Sequence, residues 1–172
     1  VGILVVTEAL FPFESDSPDL RDLHERCRSR NAALLVATGH DLGVSGQNGM
    51  GVLAAQQMLG HVEFVVGSFA KTLAVNGGFF ATRSASAKQL VRFRASPYAA
   101  SNGMSPIQAA IARESLRIVT SPEGERLRAN QLLSVDEERG RSAHAGGRSG
   151  AEIVLHGLFV FSGIKARVER VL

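Results

Sequence analysis

One lysine, Lys71, stands in Gly67-Ser68-Phe69-Ala70-Lys71-Thr72, directly after an apolar run and shortly before Asn76-Gly77-Gly78-Phe79. A lysine amine is a nucleophile only when neutral, and a partly desolvated position beside a cationic group favours that state, as lysines that condense with carbonyl compounds require. Taken alone, such a lysine reads better as a surface side chain on a turn. Ser68, three residues earlier, adds a hydroxyl. His40, in Gly39-His40-Asp41, adds an imidazole that is either a ligand group or a satisfied turn histidine. Ser101-Asn102 offers two small polar side chains that either reach a ligand or cap the helix beginning near Pro106.

The elements that must position these groups follow from periodicity. Gly2 to Thr7 and Ala32 to Val36 are β-branched or aliphatic runs, and Asp19 to Arg30 between them has helical spacing. A helix over Val52 to Leu59 leads to a strand at Val62 to Val66, and Gly77 to Ala81 forms a further short strand. Strands this apolar on both faces predict a covered, largely parallel sheet of an α/β domain, in which ligands bind at the carboxyl ends of the strands. Helices are expected at Ala85 to Arg94, at Pro106 to Thr120 with its proline in the first turn, and from Pro122 to about Leu133. From Ser134 the character changes. Arg139 to Gly150 is a Gly, Arg, Ser and Ala stretch without periodicity, and Ile153 to Phe161 is one apolar run that reads as a strand.

Composition bounds the rest. The 172 residues are 45% apolar, which suits a globular domain. No apolar stretch approaches the roughly 20 residues that span a bilayer, and Val1 to Glu8 lacks the basic flank of a signal peptide, so a cytoplasmic protein without membrane contact is expected. The lone Cys27 has no disulfide partner and reads as structural. The net charge of +3 rests on arginines that alternate with Glu114, Glu123, Glu125, Glu137 and Glu138, the pattern of solvated helix faces; no nucleic-acid partner is expected. A phosphate-binding module built on the glycine loops ranks lowest, because no helix-opening GxGxxG is present.

The order of motifs is more specific than any one of them. Val6-Thr7-Glu8-Ala9-Leu10-Phe11, Leu34-Leu35-Val36 leading to His40-Asp41-Leu42-Gly43-Val44, Gly46-Gln47-Asn48-Gly49-Met50-Gly51, the Lys71 segment, Phe93 to Pro97, and Ser101-Asn102-Gly103-Met104-Ser105-Pro106 succeed one another. Together, from about Val5 to Asn130, they resemble the α-oxoamine synthases, pyridoxal 5'-phosphate (PLP) dependent acyltransferases that join a small amino acid to an acyl-CoA. The family includes 8-amino-7-oxononanoate synthase, 2-amino-3-ketobutyrate CoA ligase, 5-aminolevulinate synthase and serine palmitoyltransferase.

The resemblance implies the large domain of a fold-type I PLP enzyme over residues 1–120, a connecting helix over 121–133 and an unmatched tail, a truncated or aberrant small domain, over 134–172. It implies that Lys71 holds the PLP aldehyde and moves the proton at the substrate α-carbon, and that His40 hydrogen-bonds the phenolic oxygen of the ring. Ser68 then lies near the phosphate and phenolic oxygen, and Ser101 and Asn102 approach the phosphate bound in a partner subunit, so a homodimer, or pairing with a full-length homologue, is expected.

This chain also departs from the pattern. Where the family has an aspartate that keeps the pyridine nitrogen protonated, it has Ala37, which offers neither charge nor hydrogen bond; Thr38 points to the opposite face. Phe11-Pro12 replaces Phe-Ser, Glu14 and Ser15 replace an Asp-Gly pair, and family members have a substantial region ahead of the position of Val1. Impaired catalysis is therefore expected, the alternative being a non-catalytic remnant or accessory subunit that keeps the fold and dimer surface.

Overall fold

The computed structural model describes residues 2–13 and 16–130. Val1, Glu14, Ser15 and the whole of 131–172, including the end of the helix expected to about Leu133 and the apolar run Ile153 to Phe161, lie outside the described residues.

Four strands, β1 (Ile3–Glu8), β2 (Ala32–Ala37), β3 (Phe64–Ser68) and β4 (Gly78–Thr82), form one sheet in the order β1-β2-β3-β4. The first three run parallel, and β4 returns antiparallel to β3. That last pairing modifies the largely parallel expectation. The connection from Ser68 to Gly78 is too short for the helical crossover a parallel neighbour requires, so the chain turns back beside itself. β3 also begins later than the apolar pattern suggested: Val62 is buried, but it belongs to the approach to the strand.

Helix α1 (Leu20–Ser29) is capped by Asp19, whose carboxylate accepts from Asp22 N at 2.9 Å, and it turns Leu20 and Cys27 inward. The helix expected over Val52 to Leu59 is shorter, α2 (Gly51–Ala55); Gln57 takes a positive φ of 57° and closes it. α3 (Ala85–Arg94) starts at Ser84, whose hydroxyl accepts from Ala87 N, and a short α4 (Ser96–Ala99) follows. α5 (Pro106–Val119) opens on a capping box: Ser105 Oγ accepts from Gln108 N, and Gln108 Oε1 accepts from Ser105 N. The capping considered for Ser101-Asn102 thus belongs to Ser105. Residues 122–130 are again helical.

Two apolar clusters hold these elements. The larger one packs α1 and α2 onto one face of the sheet through Leu20, Cys27, Leu34, Val36, Leu53, Met58 and Val62. The smaller one, Leu73, Val75, Ala112, Ile118 and Val119, fixes the chain after β3 against α5. The other face of the sheet carries Leu4, Val6, Leu35, Phe64, Val66 and Phe80 by strand alternation and register. There Leu4 is 52% and Val6 62% exposed, so the described residues leave this face open. The expectation of a sheet covered on both faces is met on one.

Arg117 pairs with Glu114 at 2.6 Å on an exposed face, as the alternating charges implied. Arg128 departs from that pattern, for its side chain is buried and donates to Val119 O and to Glu125 Oε2, each at 2.7 Å. Among the described residues no helix is long and apolar enough to cross a membrane.

Candidate active site

Register places the ends of three strands side by side. Glu8 pairs with Ala37, and Ala37 with Val66, while Ser68 ends β3 two residues further on. On a pleated strand residues two apart share a face, so Glu8, Ala37, Val66 and Ser68 all project from the open face. Thr38 turns the other way, buried at 4% exposure, with Oγ1 donating to Val66 O at 3.2 Å. It cannot take over a role left by Ala37.

His40 follows β2 on a turn. Its Nδ1 lies 3.5 Å from Glu8 Oε2, and both side chains are about one-third exposed. The turn is set against β3: a Cβ on Gly39 would meet Ser68 Cβ at 3.9 Å, so His40 and Ser68 belong to neighbouring segments. Below the turn, Asp41 is fully buried. Its Oδ2 accepts from Val52 N at 2.7 Å, tying the histidine loop to the start of α2. Burial pushes the Asp41 carboxyl up from its ordinary range, against the opposing hydrogen bond from Val52 and despite the neighbouring His40. Gly51 is required there, since its φ is +75° and a Cβ would lie 2.2 Å from Asp41 Oδ2.

Lys71 sits on the tight segment after β3, itself exposed but flanked by anchored neighbours. Thr72, Leu73 and Val75 are buried. Phe69 N donates to Gly77 O at 3.0 Å, Val75 N to Phe69 O at 3.1 Å, and Ala74 N to Lys71 O at 3.0 Å, with Ala74 at a positive φ of 58°. Ser115 Oγ of α5 donates to Leu73 O at 3.2 Å. The loop is also locked to the histidine loop, because a Cβ on Gly43 would fall 2.3 Å from Thr72 Cγ2. The Lys71 ammonium is held below the usual lysine range by partial desolvation, with the charge of Glu8 acting in the opposite sense.

Ser68 Oγ accepts from Ala70 N at 3.1 Å, which leaves its own proton to donate elsewhere. Ser101 and Asn102 are exposed on the loop between α4 and α5, where the Ser101 hydroxyl donates to Pro97 O. That loop reaches the Lys71 segment through Met104, whose Cε lies 3.0 Å from where a Cβ on Gly77 would be. Glu8 is the residue that reading the sequence for chemistry passed over; the signal was its place as the last residue of an alternating strand whose other members on that face are Leu4 and Val6.

An amine, an imidazole, a hydroxyl and a carboxylate therefore gather at the carboxyl edge of parallel strands. The family model for aminotransferases of class I and II matches residues 15–138. The chain belongs to this family. An 8-amino-7-oxononanoate synthase from Citrobacter koseri is 36% identical over 121 residues, 70% of this chain and 31% of that protein. A serine palmitoyltransferase from Sphingomonas paucimobilis is 33% identical over 129 residues, 74% of this chain and 30% of its own. The solved structure of serine palmitoyltransferase from S. paucimobilis with bound PLP-myriocin aldimine superposes with a TM-score of 0.79 at 28% identity, covering 88% of this chain and 38% of the other. These relatives set the chain within the α-oxoamine synthase branch and its architecture within the fold-type I transferases. The chain spans about a third of the length of the relatives it matches.

Proposed function

We propose that this chain carries the lysine half of a PLP site in an acyltransferase of the α-oxoamine synthase type, which condenses a small amino acid with an acyl-CoA. The observation that carries the reading is the partly desolvated Lys71 on a loop clamped by α5 and interlocked with the loop of His40. The donor set fits PLP on one side of its ring: Lys71 Nζ for the aldehyde carbon, His40 for the phenolic oxygen, and Ser68 Oγ for the phenolic or phosphate oxygen. On the other side it fits poorly, since Ala37 offers nothing to a pyridine nitrogen. Ser101 and Asn102, exposed on their loop, suit contact with the phosphate held in a second subunit, which makes a homodimer the expected assembly.

PLP, when bound, supplies an electron sink for the bond broken at the substrate α-carbon. Lys71 has two tasks, holding the aldehyde carbon and moving the proton at the α-carbon. A lowered pKa serves both, because a larger share of the amine is free to attack and to accept a proton. His40 would orient the ring through its phenolic oxygen, and Ser68 would complete that edge. The weak point is position 37. Ala37 would give the ring nitrogen no proton-holding partner, which would slow catalysis while leaving Lys71 able to hold the aldehyde.

The test is to mix the chain with PLP, follow the visible absorption band, reduce with borohydride and locate the modified residue by mass spectrometry. A stoichiometric adduct on Lys71, lost in Lys71→Ala, is the expected result; no adduct on Lys71 overturns the reading. Where activity is detectable, Ala37→Asp is expected to raise it by about tenfold or more, equivalent to ~1.4 kcal/mol of transition-state stabilisation.

A second reading, an accessory subunit that keeps the fold and dimer surface beside a full-length homologue, is favoured by Ala37 and by the open sheet face. It predicts stable co-purification with such a homologue and no activity gain from Ala37→Asp.

A further inference from the structure

The carboxylate at the end of β1 has no assigned part in the chemistry above, yet it stands in the middle of the site. Glu8 shares a register row with Ala37 and projects from the same face as Ser68. Its Oε2 lies 3.5 Å from His40 Nδ1, and its charge reaches both Lys71 and Asp41. With alanine at position 37, Glu8 is the acidic side chain among the described strand ends on this face.

We propose that Glu8 is the positioning carboxylate of the site, accepting a hydrogen bond from His40 Nδ1–H and thereby turning Nε2 toward the ligand. An ionised carboxylate only accepts, so it selects the imidazole form that carries the proton on Nδ1. His40 Nε2 is then a defined group: it accepts from a hydroxyl, or, once the ring is doubly protonated, donates to an oxyanion. The 3.5 Å separation is at the long end for such a bond. The alignment follows from the fold, because the parallel register puts the end of β1 beside the residue from which the histidine turn departs. The proposal rests on the PLP reading only for the identity of the ligand; the Glu8–His40 pairing stands apart from it.

The direct test is the imidazole ¹⁵N spectrum of the histidine-labelled chain at mildly alkaline pH. The signal of His40 among the five histidines is assigned with His40→Asn. The Nδ1–H form is expected to predominate. Glu8→Ala is expected to shift His40 to the Nε2–H form that free imidazole side chains favour, and Glu8→Gln, whose amide oxygen still accepts, to retain Nδ1–H. Amide spectra of both variants establish that they fold, and Glu8→Gln preserves side-chain size if alanine does not. A predominant Nε2–H form in the parent, or an unchanged ratio in Glu8→Ala, overturns the proposal.

The second readout is PLP affinity by absorbance titration, expected to weaken about tenfold in Glu8→Ala; unchanged affinity counts against the positioning role. If the parent takes up no PLP, the proposed function fails while the tautomer measurement still decides on Glu8.

Discussion

The two faces of this sheet are built from the same strands and teach different things. On one, Leu34 and Val36 are fully buried beneath α1 and α2; on the other, Leu4 and Val6 are more than half exposed. Both rows are aliphatic, so hydrophobicity does not separate them. What separates them is whether the described residues also include the covering layer. For the first face it does, since α1 follows β1 and α2 follows β2 as crossover helices. The second face carries the candidate site at its rim. Burial is thus concentrated on one side of the sheet and the candidate site lies on the other.

Breaking the covered face should have the largest effect. Leu34→Ala, in the centre of the larger cluster at 0% exposure, is expected to cost roughly 2–5 kcal/mol, read from urea unfolding. Gly51→Ala comes next. It forces a Cβ toward the Asp41 carboxylate at a positive φ and is expected to cost about 1–3 kcal/mol while loosening the loop that presents His40. If Gly51→Ala unfolds the chain as readily as Leu34→Ala, site loop and core are a single unit and the contrast between faces weakens.

Lys71→Met should change stability by no more than ~0.5 kcal/mol near neutral pH but alter its pH dependence. Desolvation sets the folded-state pKa of Lys71 below that of the unfolded chain. Between the two values the unfolded state binds more protons, so stability rises with pH across that window and the desolvation penalty is gone above it. The methionine variant, which does not titrate there, should lose that rise in alkaline denaturation curves. The smallest effect is expected on the open face: Val6→Thr, which keeps β-branching at a 62% exposed position, should stay within ~0.5 kcal/mol. A loss comparable to that of Leu34→Ala would mean that something covers this face in solution.

Much of this arrangement is written locally. The apolar runs at β1 and β2 and the helical spacing that opens near Asp19 read directly, because strand and helix periodicity are short-range effects. α3 matches its expected bounds at Ala85 and Arg94, and α5 differs from its expected end by a single residue. The antiparallel return of β4 and the late start of β3 did not read, since strand pairing is a tertiary choice. For the candidate site, Lys71, His40 and Ser68 were singled out by the order of motifs. Glu8 was not: its nearness to His40 exists only once β1 and β2 are in register. The clamp on the Lys71 loop was equally hidden, for Ser115 and Leu73 meet across 42 residues of chain.

The close fit of Thr72 against Gly43 has a mechanical meaning. A side chain that descends from the end of one strand occupies the space a missing side chain leaves on the loop of another, so the two bends mesh like gear teeth. At this contact the backbone of either loop has little room to move toward the other, so a large displacement of one bend must disturb its neighbour.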